Sequence, residues 1–109
     1  MGWIGCDLDG TLAESQAHYS PDEIGPPVPR MVERVRGWLA AGREVRIFTA
    51  RAYPPMGPRG RSVAVKAVEE WCKEHLGEAL PVTCMKDPQM ETLYDDRARQ
   101  VEHNTGKLL

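Results

Sequence analysis

The apolar run Trp3-Ile4-Gly5-Cys6 breaks at once into Asp7-Leu8-Asp9-Gly10-Thr11-Leu12, and this junction constrains the chain more than any other stretch. A short apolar run that ends in polar turn chemistry is the pattern of a buried strand, expected here over 3–7. Side chains two apart on a strand share a face. A bend at Gly10 lets Asp7 and Asp9 aim around one point. Carboxylates that close repel strongly in a poorly hydrated site. Such a pair implies a cation or a proton held between them, and the rest of the chain reads as the means of completing that site.

Residues 10–27 form a long connection rich in serine, proline and glycine. Loops of this length in compact domains tend to be functional, and an irregular flap over the site is expected, not a separate domain. A helix follows from Pro29 to Ala41. Val28, Met31, Val32, Val35, Trp38 and Leu39 recur at spacings of three and four, and Gly42 stops the helix. Glu44 to Thr49 is the second strand. The stretch 52–61 holds Pro54, Pro55, Gly57, Pro58 and Gly60 and is expected to stay non-helical. The next helix is expected from Ser62, a plausible N-cap, to Leu76. Its inner face is Val65, Val68, Trp71, Cys72 and Leu76, and Glu69 with Lys73 is a surface pair. Pro81 to Cys84 and Glu91 to Asp95 read as two more strands, and 97–103 as a short last helix.

Strands alternating with helices imply a parallel sheet with helices on both faces and right-handed crossovers. Ligands in such sheets sit at the carboxyl ends of the strands. Asp7/Asp9, Thr49/Arg51 and Asp95/Asp96 all follow expected strands, and Lys86 follows the weaker one at 82–84. A phosphoryl group suits these parts. Asp7 can attack phosphorus, and Asp9 can protonate the leaving oxygen and then activate water. Several carboxylates with water make a hard oxygen site for Mg2+. Thr49 offers a hydroxyl, and Lys86 a cation, to the phosphoryl oxygens.

Asp-Leu-Asp-Gly-Thr-Leu at 7–12 resembles the first motif of the haloacid dehalogenase (HAD) superfamily of phosphohydrolases. The strand ending in Thr49 resembles the second motif, Lys86 the third, and Leu93-Tyr94-Asp95-Asp96 the acidic fourth. The resemblance implies a three-layer, Rossmann-like α/β fold, a small parallel sheet of about four strands in the order 3-2-1-4. It implies Asp7 as nucleophile and metal ligand, and Asp9 as general acid/base that holds Mg2+ through its backbone carbonyl. Asp96 would be the direct metal ligand, with Asp95 in support. Thr-Ala-Arg and Asp-Asp-Arg are similar to the small capless members, including the phosphatase domain of polynucleotide kinase-phosphatase. Gly10, Thr11, Ala50 and Arg51 would then lie along the substrate. No insertion is long enough for a cap domain, so the site would be open or closed by a partner subunit. The sheet is small for a free-standing monomer, and a homodimer is one expectation.

With 109 residues the chain makes a single domain, 1–109. A net charge of −2 argues against a broad nucleic-acid-binding face. No apolar run reaches membrane-spanning length, and the first residues lack the pattern of a signal peptide. Cys6, Cys72 and Cys84 have neither zinc nor disulfide spacing, so a cytoplasmic location is expected. The expected function is a Mg2+-dependent phosphatase acting on a phosphorylated small molecule or a phosphorylated nucleic-acid end through an aspartyl-phosphate. The alternative is a catalytically silent domain of the same fold that binds metal or phosphate in a regulatory role. His18 and Tyr19 are expected as ordinary residues of the first loop, the alternative being that they gate the site; Arg59 and Arg61 are expected in a solvated loop, the alternative being that they guide anionic substrates.

Overall fold

Parallel strands and two helices organise the chain. The structure, a computed structural model, describes residues 2–53 and 58–109. In order these hold β1 (Trp3–Cys6), α1 (Pro29–Ala40), β2 (Val45–Phe48), a 3-10 turn (Ala50–Ala52), α2 (Pro58–Leu76), β3 (Val82–Thr83) and β4 (Met90–Tyr94). Among the described residues the four strands pair in parallel, in the order β3-β2-β1-β4. The α/β class, the strand order and, among the described residues, the lack of a cap follow the sequence reading.

Register decides which side chains meet the helices. Ile4 lies beside Val45, and Cys6 beside Ile47, so these four share one face of the sheet. They are buried against Met31, Val32 and Val35 of α1 and Val68, Trp71, Cys72 and Leu76 of α2. Both helices therefore cover this one face. They also touch each other, as the Arg36 guanidinium donates to the His75 carbonyl at 2.6 and 3.1 Å. Chain order explains the arrangement. The path β1 to β2 to β3 steps twice in one direction, and right-handed crossovers then put both connections on the same side.

The return from β3 to β4 must pass over the opposite face, and residues 84–89 do so without a helix. Asp87 in this strap accepts from Trp3 Nε1 at 2.8 Å and from Arg46 at 3.3 Å. Trp3 and Arg46 alternate with Ile4 and Val45 and so point to this second face. The Arg46 guanidinium lies 4.4 Å from the centre of the Trp3 ring, and Trp3 is only 1% exposed. Helices on both faces, as expected, are thus replaced among the described residues by helices on one face and a strap on the other.

Two further expectations are corrected. α2 starts at Pro58, not Ser62. Proline is tolerated in a first turn, where its missing N–H has no intrahelical partner, so the 58–61 end of the loop is helical and Ser62 is no cap. Residues 54–57 of that loop lie outside the described residues. The helix expected over 97–103 is absent. Residues 97–100 carry no regular structure, Val101 bridges antiparallel to Leu108, and Asn104 turns the chain with φ 65°. So short a segment with no apolar stripe to bury is marginal as a helix. On α2, Lys73 pairs with Glu70 at 3.4 Å and not with Glu69.

The flap after β1 is anchored at its neck. Glu14 N–H donates to the Pro26 carbonyl, and Val28 N–H to Leu12, each at 2.8 Å. Leu8, Leu12 and Ala13 are fully buried beneath it. Trp71 Nε1 of α2 donates to the Gly25 carbonyl at 3.0 Å. All three cysteines are free. Burial pushes the thiol of Cys6 up to about 12 and that of Cys72 to about 11, so both act as small apolar core groups. No helix among the described residues is long and apolar enough to cross a membrane.

Candidate functional site

β1 and β4 are neighbours in the sheet although they come from opposite ends of the chain, and their carboxyl ends finish together. Asp7 N–H donates to the Tyr94 carbonyl at 2.9 Å, which sets Asp7 beside Asp95 and Asp96. One carboxylate oxygen from each of these three residues lies within 4.8 Å of the others. The Thr11 hydroxyl donates to Asp96 Oδ1 at 2.8 Å and accepts from the Asp96 N–H at 3.0 Å. Gly10 has φ +91°, and a Cβ there would sit 2.8 Å from Asp96 Oδ2. Only glycine combines that left-handed backbone with so close an approach. The Asp-Gly-Thr turn thus cradles the second acid of the distant pair.

The electrostatics follow from the crowding. Burial, then the nearby Asp95 carboxylate and a hydrogen bond to Asp96, push Asp7 up to about 7. Asp96 moves the other way, held down first by the Thr11 hydroxyl. Below about pH 7 Asp7 tends to keep a proton that Asp96 accepts. A divalent cation could take the place of that proton, since three hard oxygen donors lie close together beyond the strand ends.

Asp9 stands apart from this cluster. Arg51 grips it with two bonds, Nε to Oδ2 at 2.8 Å and Nη2 to Oδ1 at 2.9 Å. The same guanidinium donates to the carbonyls of Ser20, Pro21 and Glu23 at 3.0–3.3 Å. Its carbon also lies 4.9 Å from the centre of the Tyr19 ring. Arg51 is 4% exposed. All its donors are committed to the protein, so the residue expected along the substrate serves here as the latch of the flap. Thr49 is buried, and its hydroxyl caps the 3-10 turn by accepting from Arg51 N–H at 3.2 Å.

A cleft of about 920 Å3 opens over these groups. Asp7, Asp9, Thr49, Ala50, Arg51 and Asp95 line it, with Ser15, Gln16, His18 and Tyr19 from the flap and Phe48, Tyr53, Cys84 and Arg97. Lys86 is exposed and not among the lining residues. It adjoins Asp87 in the strap, which leaves the site for the second face. Arg97 is the cation that the structure brings to the cleft instead, two residues after Asp95. The Asp-Asp-Arg triplet was a signal for it. Tyr53 had no comparable signal, since its position depends on the 3-10 turn.

No known protein family matches the chain, and no curated protein matches it. Among solved structures it is similar to a conserved protein from Bacteroides thetaiotaomicron, with a TM-score of 0.62 and 20% sequence identity, over 89% of this chain and 77% of that one. A likeness at this identity defines the class of fold, a parallel α/β sheet, and nothing of the chemistry.

Proposed function

We propose that the chain is a Mg2+-dependent phosphatase of the HAD type, hydrolysing a phosphomonoester of a small molecule or of a nucleic-acid end. The observation that carries this reading is the convergence of Asp7, Asp95 and Asp96 within 4.8 Å at the tips of adjacent strands. These acids fit a divalent ion, which when bound neutralises their repulsion and shields the charge of an incoming phosphoryl group. Asp7 Oδ attacks phosphorus, and the bond from phosphorus to the leaving oxygen breaks. That oxygen takes a proton from Asp9. The aspartyl-phosphate is then hydrolysed by water, whose proton passes to Asp9. Thr49 accepts from a backbone N–H, which leaves its own hydroxyl proton free to meet a phosphoryl oxygen. Asp9 can act only if its pairing with Arg51 opens when substrate arrives.

That pairing is the specific observation behind a second reading, a catalytically silent domain that binds metal or phosphate. Turnover of a phosphomonoester panel with and without Mg2+ decides between them. Mg2+-dependent release of phosphate, abolished in Asp7→Asn, is the expected result. Mg2+ binding by calorimetry with no turnover across the panel selects the silent domain. A cytoplasmic homodimer completes the proposal, and a monomer at all concentrations in sedimentation equilibrium removes the dimer from it.

A further inference from the structure

The chain has one phenylalanine and three tyrosines, and three of these four, Phe48, Tyr19 and Tyr53, line the cleft beside Asp7. Tyr19 and Tyr53 are 58% and 54% exposed. Neither belongs to the core. Each has one contact with the fold. Tyr19 leans on the Arg51 guanidinium, and Tyr53 ends the 3-10 turn that Thr49 caps, its N–H donating to the Ala50 carbonyl at 3.0 Å. Exposed aromatic rings at the mouth of a polar site offer π faces on which a flat ring can stack.

The basic groups give the polarity of the cleft. Arg51 is committed to Asp9 and the flap carbonyls. Arg97 lines the cleft, and its guanidinium makes no hydrogen bond among the described residues. Its backbone N–H is fixed by Asp95 Oδ1 at 2.8 Å, so the cation is tethered next to the acidic cluster. A volume near 920 Å3 suits a small molecule.

We propose that the cleft takes a small phosphomonoester whose leaving group carries a planar ring, with the ring against Tyr19 and Tyr53 and the phosphoryl oxygens on Arg97. The assignment of the phosphoryl end rests on the phosphatase reading; the ring platform does not. A nucleoside monophosphate and an aryl phosphate both have this chemistry. Stacking on an aromatic wall distinguishes a flat ring from a saturated one of the same size, because only the flat ring offers a π face.

Calorimetry on the intact chain with saturating Mg2+ tests this without turnover, using benzylphosphonate and cyclohexylmethylphosphonate, which carry no hydrolysable ester. Benzylphosphonate is expected to bind about tenfold more tightly. Tyr53→Leu or Tyr19→Leu should bring the two ligands to about equal affinity, since leucine keeps apolar bulk and loses the ring. Arg97→Gln should weaken both ligands by the same factor, about tenfold, leaving the preference intact. Equal affinities in the unsubstituted chain overturn the proposal. So do a preference that survives both tyrosine substitutions, and binding of neither ligand. Turnover of phosphomonoesters is a separate measurement, so a phosphatase indifferent to rings sinks this inference alone, while a ring-selective chain without turnover sinks only the hydrolytic reading.

Discussion

Asp7 is where charge and stability are most tightly coupled. In the folded chain it holds its proton to about pH 7, whereas an unfolded aspartate releases it at about 3.9. The folded state therefore binds the extra proton between those values. Stability falls as pH rises through that window and then levels off. Solvent reaches this half-buried group, so the full shift overstates the effect, and roughly 1–2 kcal/mol is expected. Asp7→Asn should be more stable than the parent by that amount at pH 8 without divalent ions, and should show no such gain at pH 4. Urea unfolding at the two pH values checks this, and an equal effect at both removes Asp7 as the cause. Gly10→Ala should cost about 1–3 kcal/mol from its left-handed backbone. Its added Cβ would also displace Asp96, so Mg2+ affinity measured by calorimetry should fall as well. Retained affinity in a folded Gly10→Ala chain would show that Asp96 is not a ligand.

The flap depends on one side chain from another element. Arg51, placed by the 3-10 turn after β2, joins Asp9 to three carbonyls between residues 20 and 23. Removing it leaves those acceptors and a partly buried carboxylate without their donor. Arg51→Ala should cost about 2–4 kcal/mol, somewhat under the usual figure for a broken buried pair because Asp9 keeps contact with water. Arg51→Lys should recover little, since one ammonium cannot reproduce the forked contacts. Hydrogen exchange should speed up in residues 15–25 of either variant and stay unchanged in β1. Unaltered exchange in the flap would mean that its neck and Trp71 hold it unaided. Existence and type of the two helices and four strands were legible from periodicity, whereas ends governed by tolerance were not. A proline-glycine stretch reads as a breaker, yet Pro58 opens α2 because a first turn has no hydrogen bond there to lose.

For the whole molecule, the second face of the sheet is the unusual feature. It is closed by a six-residue strap whose Asp87 meets Trp3 and Arg46. Among the described residues Trp3 is buried on that face with no helix above it, so Trp3→Ala should cost about 3–5 kcal/mol and lower the denaturant midpoint without changing Mg2+ affinity at the far ends of the strands. A midpoint close to the parent's would mean that the face is already open to solvent.

The chain's own order of residues determined which side chains carry chemistry and which strand each one follows. Alternating apolar runs, breakers and acids are local properties, and they suffice to put Asp7, Thr49 and Asp95 at strand ends. Which of those groups actually meet was decided by tertiary structure. The pairing of β1 with β4 brings Asp7 to Asp95 and Asp96. The fold of the flap turns Asp9 toward Arg51, and Arg97, not Lys86, takes a place in the lining of the cleft. Such outcomes depend on contacts between residues 31 to 85 positions apart, and no local pattern encodes the path a loop takes between its two ends.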